Sequence, residues 1–176
     1  MGTEPAILFP ESSDEEWELL SIPYSIFDVL LSDVDHGDLV RIGRSIGKPY
    51  LAECPFVTPP FPVSGTIFGR HRRFIVPLTL QRAGKPNTKL IRVLFIADSG
   101  SPYTTMSVQC LQILFGDIVK EEYDVWIQDR TTTMQCEVSQ GHFEQVNLLG
   151  TDAMESLDLS CLVKWEQKTW LLIEHK

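Results

Sequence analysis

The run Lys89–Ala97 (Lys-Leu-Ile-Arg-Val-Leu-Phe-Ile-Ala) constrains the fold of this 176-residue chain more than any other stretch. Apolar residues occupy both alternating faces, with Ile91, Val93 and Phe95 on one and Leu90, Leu94 and Ile96 on the other. A strand that is apolar on both sides needs cover on both sides, so it is read as central and buried. It runs straight into Asp98-Ser99-Gly100. A carboxylate at the end of a buried strand is costly to desolvate unless it has a partner or a task. Gly100 lets the backbone turn sharply there, and the Ser99 hydroxyl is placed to support the turn or a neighbouring carboxylate.

The surrounding pattern is mostly β. Phe74–Leu80 reads as a strand that Pro77 restricts to an edge or a bulge. Residues 82–88, with Gly84, Pro86 and Asn87, read as a turn. Ser107–Phe115 reads as a short helix that Ser107 caps and Gly116 ends. Tyr123–Gln128 and Met134–Val138 are expected to form a hairpin, Glu144–Leu149 a strand, and Leu159–Trp165 with Thr169–Glu174 a last hairpin. Residues 55–62 carry four prolines in eight and read as an extended connector; Pro59-x-x-Pro62 is also the spacing of an SH3 ligand. Ahead of it, Ile26, Phe27, Leu30, Leu31 and Val34 are spaced as one face of a helix with Pro23 in its first turn. That reading leaves Asp33, Asp35 and Asp38 at the helix C-terminus, the unfavourable end of its dipole.

Charge divides the chain. Residues 1–40 hold ten acids and no Lys or Arg, while residues 41–176 hold fourteen acids against fifteen bases, a net of +1. The overall charge of −9 therefore belongs to the first forty residues. A near-neutral body behind an acidic arm argues against nucleic acid as a partner. No apolar run approaches the roughly 18 residues of a membrane span, and no signal-peptide pattern opens the chain. Ala6 stands where myristoylation prefers Ser or Thr. A soluble, intracellular, cytoplasmic protein is expected, with no membrane partner. Cys54, Cys110, Cys136 and Cys161 are widely spaced, so reduced and largely buried thiols are expected. The four histidines (His36, His71, His142 and His175) lack metal-ligand spacing, and Ser99, Ser101 and Cys110 have no base nearby in sequence. No metal, no cofactor and no nucleophilic triad are expected. The basic cluster Arg70-His71-Arg72-Arg73 reads as a solvated strand entrance, a partner for the acidic arm, or a nucleic-acid contact.

Leu94-Phe95-Ile96-Ala97-Asp98-Ser99-Gly100-Ser101 resembles the signature of aspartic proteases, two hydrophobic residues before Asp-Ser/Thr-Gly-Ser/Ala. Val146-Asn147-Leu148-Leu149-Gly150-Thr151-Asp152 is similar to the hydrophobic-hydrophobic-Gly-x-Asp element found some fifty residues later in retropepsin-like proteases. The closing hairpin agrees with the same family. The resemblance covers about residues 70–174. It implies an all-β, closed acid-protease barrel with short helices, in which the Leu148-Leu149-Gly150 strand passes behind the Asp98 loop and a short helix follows. It implies Asp98 as the catalytic residue, with Ser99, Gly100 and Ser101 shaping its loop. Asp152 is expected to cap the following helix.

Aspartic proteases activate water between two carboxylates that share a proton. This chain carries one such motif, so the resemblance implies a homodimer that pairs two copies of Asp98 on a two-fold axis and acts on a peptide or protein substrate. It departs from the family where a Gly-rich flap would lie. Phe115–Glu122 has one glycine and is too short for a hairpin. The turn at residues 129–133 fits the next hairpin better than a flap. Two domains are expected, an acidic extension with the Pro-rich connector over 1–64 and a retropepsin-like domain over 65–176. The acidic arm reads as a solvated surface helix, a docking segment or a lid, and removal of residues 1–40 is expected to leave a folded body. An aspartic endopeptidase is the leading function. A catalytically silent module for dimerisation or peptide binding is the alternative.

Overall fold

The two-sided apolar strand sits where its pattern demands, in the middle of a β-barrel. The structure is a computed structural model that describes residues 33–175. In chain order these form α1 (His36–Ser45), β1 (Val63–Phe68), β2 (Arg73–Arg82), β3 (Leu90–Ala97), β4 (Thr105–Met106), α2 (Val108–Phe115), β5 (Glu122–Ile127), β6 (Thr133–Val138), β7 (Asn147–Leu149), α3 (Thr151–Ser156), β8 (Leu159–Lys164) and β9 (Thr169–Glu174). Short 3-10 turns precede β7 and link β8 to β9.

The nine strands run in the order β3-β7-β4-β6-β5-β2-β1-β9-β8, and β2 also pairs with β3. That extra pairing closes β3-β7-β4-β6-β5-β2 into a ring, and β1, β9 and β8 extend from β2 as a wing. This is the closed barrel with short helices that the resemblance implies. Val93, Leu94, Phe95 and Ile96 of β3 are all buried, as the two-sided pattern requires. One edge of β3 pairs with β2, from Gln81 opposite Leu90 to Ile75 opposite Ile96. The other edge takes residues 51–54 near its start, through the Glu53–Ile91 bridge, and β7 at its end.

Pro77 lies in β2, opposite Leu94, in the body of the sheet. It is tolerated because the other edge of β2 is broken there. β1 pairs with residues 73–75 and β5 with residues 80–82. Thr79, two residues on and in phase with Pro77, sends its N–H to the Gln128 side chain on that edge. The proline's missing donor therefore falls in a gap, a local edge inside the sheet.

The N-terminal expectations are corrected where they can be compared. The helix expected over residues 26–34 lies mostly outside the described residues, as does the acidic stretch 1–16. Among the described residues a helix forms at His36–Ser45, and Asp35 and Asp38 sit at its favourable N-terminal end. They make a capping box: Asp35 Oδ1 accepts the Asp38 N–H at 2.8 Å, and Asp38 Oδ2 accepts the Asp35 N–H at 3.2 Å. Val34, Leu39 and Ile42 are buried with the strands, and so are Tyr50 and Phe61 of the following segment. Residue 64 therefore falls inside a compact unit that includes everything described. Burial of Val34 and Leu39 also argues against a body that folds fully without residues 1–40. The Pro-rich stretch 55–62 is irregular, and the Pro60 carbonyl accepts the Gln128 Nε2–H at 2.7 Å.

Candidate active site

Asp98 is the first residue after β3, and two neighbours hold it. Its N–H donates to the Leu149 carbonyl at 3.0 Å, which continues the parallel ladder Ile96↔Leu148 and Ala97↔Leu149. Its carbonyl accepts the Ser101 N–H at 3.1 Å and closes the turn. Its Oδ1 accepts the Gly100 N–H at 2.9 Å. Asp98 is half-buried, and Ser99 and Gly100 are exposed at the tip. The backbone N–H of Gly100, rather than the Ser99 hydroxyl, is what orients the carboxylate. Ser101 Oγ donates to the Tyr103 carbonyl at 2.8 Å and stiffens the descending side of the loop.

The Leu148-Leu149-Gly150 element runs beside the strand that carries this loop. β7 lies between β3, to which it is parallel, and β4, to which it is antiparallel through Leu148 opposite Thr105. Gly150 is needed for close approach. Its φ is −82°, open to any residue, but a Cβ there would lie 2.5 Å from the Tyr103 carbonyl carbon and oxygen. The Thr151 N–H donates to the Ser101 carbonyl at 2.9 Å, and the Asp152 N–H to the Pro102 carbonyl at 3.3 Å. The two motifs, about fifty residues apart in sequence, therefore form one backbone-to-backbone unit.

Asp152 is not the N-cap residue of α3, but its Oδ1 accepts the Ala153 N–H of the first turn at 2.7 Å. The N-cap is Gly150, which has no side chain to accept a bond. The same carboxylate also holds Thr104, accepting its N–H at 2.9 Å and its hydroxyl at 2.6 Å. Thr104 Oγ1 in turn accepts the Gly150 N–H at 3.1 Å. This clasp on a fully buried threonine ties the far end of the Asp98 loop to α3. The signal available in sequence was an acid two residues after the glycine of the second motif.

A second polar unit lies beneath. Asn147 Oδ1 accepts the Ser107 N–H at 2.9 Å, and its Nδ2 donates to the Tyr50 hydroxyl at 2.8 Å and the Leu94 carbonyl at 3.0 Å. Asn147 thus joins β3, β7, the N-cap of α2 and the segment before β1. Burial pushes the Tyr50 phenol well above its ordinary range, and the nearby Cys110 adds to the shift. Burial also raises the thiols of Cys110 and Cys136. All four cysteines are free, and Cys161 is exposed.

The surroundings of Asp98 are set by strand direction. Ile75 pairs with Ile96, so the β1–β2 turn with Arg70, His71 and Arg72 reaches the Asp98 end of the sheet. Arg73 ion-pairs at 2.8 Å with Asp33, one of the acids of the first forty residues. Arg72 lies over the Trp165 ring, which meets Phe74 edge-on. The turn at residues 129–133 joins β5 to β6, as its place in the pattern suggested. Leu80 pairs with both Ile127 and Ile91, so that turn sits at the opposite end of β3, about 23 Å along the strand from Asp98 at 3.3 Å per residue. Residues 116–121 form no hairpin; the Val119 and Lys120 N–H groups both donate to the Tyr123 hydroxyl at 2.9 Å.

No family model matches the chain, and no curated protein matches it. Among solved structures it is similar to a retropepsin-like aspartic protease from Rickettsia conorii, at 14% identity and a TM-score of 0.42, over 64% of this chain and 89% of that one. This is a distant structural match covering part of the chain. Among the described residues no helix is long and apolar enough to cross a membrane.

Proposed function

We propose that the chain is an aspartic endopeptidase that works as a homodimer, with Asp98 of each copy forming one catalytic pair. One observation carries the reading. A half-exposed carboxylate is fixed at the end of a buried strand by the Gly100 N–H and by a second strand bonded to its own backbone. The Gly100 bond is that of an Asx-turn, so the weight falls on the second strand bonded to the Asp98 backbone, because a catalytic group must be held to a fraction of an ångström. In the pair, the ionised carboxylate takes a proton from water as water attacks the scissile carbonyl, and the protonated partner donates to the carbonyl oxygen. The two groups titrate as a unit. Ser101 and the Thr104–Asp152 clasp position the loop without touching substrate. The step needs no metal and no cofactor.

The test is cleavage of a peptide library between pH 4 and 7 by the purified chain and by Asp98→Asn. Cleavage that Asp98→Asn abolishes supports the proposal. No cleavage, or cleavage that survives the substitution, overturns it. A second reading, a catalytically silent module that binds peptide or dimerises, is favoured by the lack of a hairpin within residues 116–121. It expects peptide binding that Asp98→Asn leaves unchanged.

A further inference from the structure

A cavity of about 320 Å³ opens at the far end of β3 from Asp98, between the turn that leaves β2 and the chain that joins α2 to β5. Gln81 pairs with Leu90, so this end lies about 26 Å along the strand from Asp98 at 3.3 Å per residue. The cavity is at the small end of the range that holds small molecules. Its lining follows from strand pairing. Arg82 stands opposite Val125, and Val125 shares a face of β5 with Tyr123, so Arg82 and Tyr123 point the same way. Phe115, the last residue of α2, completes the group. Its ring meets the Tyr123 ring at 4.7 Å, and the Arg82 guanidinium lies over it at 5.3 Å. Glu122 and Asp124 alternate with Tyr123 and direct their carboxylates to the opposite face, where Glu122 accepts the Gln135 Nε2–H at 2.7 Å. Asp117 is the one acid of the lining that this alternation does not turn away.

Around this cavity stand donors without acceptors. Stacking on Phe115 occupies the face of the Arg82 guanidinium and leaves the N–H groups of its edge. Among the described residues no acid pairs with Arg82, Lys85 or Lys120, all three of which line the cavity. Tyr123 is 5% exposed. Its hydroxyl accepts the Val119 and Lys120 N–H groups, and its own proton meets no acceptor among the described residues. A buried donor left unmade costs free energy, and neighbouring cations repel one another, so both favour an anion in the space between them. We infer that this cavity binds the phosphate monoester group of a small molecule. Three cations against Asp117 leave a net charge of +2, which balances the charge of about −2 on a monoester at neutral pH. A planar guanidinium fork, two ammonium groups and a phenol proton are more donors than the two oxygens of a carboxylate employ, and they suit the three of a phosphate.

The inference does not rest on the peptidase reading, and its test reads binding rather than cleavage, so either can fail alone. Phenyl phosphate and benzoate are titrated calorimetrically into the full chain at about pH 7.5, where the monoester is mostly doubly charged. Phenyl phosphate should bind once per chain with a Kd below about 1 mM, and benzoate about tenfold more weakly or worse. Arg82→Gln should weaken phenyl phosphate by about tenfold or more. Lys85→Gln combined with Lys120→Gln alters only exposed side chains and should also cost about tenfold, which covers the case of an Arg82 variant that fails to fold. Lys164→Gln, in β8 and outside the cavity, should leave binding unchanged. No saturable binding of phenyl phosphate with a Kd below about 1 mM overturns the inference. So does equal affinity for benzoate, an equal loss in Lys164→Gln, or folded cavity variants that bind as tightly as the parent.

Discussion

Replacing Gly150 with alanine adds one methyl group and tests whether the second motif locks the Asp98 loop by contact. The backbone at this position suits alanine, with φ −82° and ψ 179°. The substitution would ordinarily gain about 0.4–1 kcal/mol by restricting the unfolded chain. Here the new Cβ would lie 2.5 Å from the Tyr103 carbonyl carbon and oxygen and 2.9 Å from Asp152 Oδ1. Carbon atoms in contact prefer about 3.5–4.0 Å, so backbone must move by about 1 Å. Overpacking of this kind costs about 1–3 kcal/mol. Movement of Tyr103 also pulls Thr104 from Asp152, two bonds to a carboxylate that are costly to lose when buried. The net expected loss is about 2–4 kcal/mol. Urea unfolding followed by far-UV circular dichroism measures it, read at unchanged m. The control is Gly37→Ala in α1, whose added methyl would meet only Asp35 Oδ1, at 3.2 Å. That variant should stay within about 1 kcal/mol of the parent. A Gly150→Ala protein within about 0.5 kcal/mol of the parent would refute the contact reasoning.

Asn147→Leu keeps the branched shape but strands the Ser107 N–H and the Leu94 carbonyl and removes one partner of the Tyr50 hydroxyl, and should cost about 2–4 kcal/mol in the same urea assay. Stability should also fall at alkaline pH. Tyr50, Cys110 and Cys136 are all held above their ordinary values by burial, so the unfolded chain loses their protons first. Their contribution is intact below about pH 8.5 and declines as pH rises, with a slope reaching about 1.4 kcal/mol per pH unit for each group ionised only in the unfolded chain. Unfolding midpoints measured from pH 7 to 11 check this, and a flat profile would contradict the burial of these groups.

Much of the barrel was legible because its strongest signals are local. The two-sided apolar run gave β3, the turn residues 82–88 gave the β2–β3 hairpin, and Ser107 and Gly116 bracket α2 as read. Strand β1 was not legible. Its sequence Val-Ser-Gly-Thr-Ile-Phe follows a proline run, and Gly65 is there because the Trp170 indole occupies the space of a Cβ. Trp170 lies a hundred residues away, so no local pattern announces it. Helix α1 was missed for a related reason. Two glycines lower its propensity, and Gly43 is required where the chain packs against the Lys48 carbonyl and the Tyr50 N–H. At the candidate site, Asp98, Gly100 and the Leu148-Leu149-Gly150 element were legible from motif and order. The roles of Thr104, Asp152 and Asn147 were not, because their partners come from 40 to 97 residues away.

The break in the β2 ladder beside Pro77 has a mechanical meaning. On that edge the barrel and the wing meet without continuous backbone pairing, and Gln128 bridges the opening by holding Thr79 on one side and the Pro60 carbonyl on the other. A seam closed by one side-chain amide opens at lower cost than a ladder. The seam is therefore where local opening should begin, while Trp170 and Leu172 of the wing stay buried in the core they share with the ring.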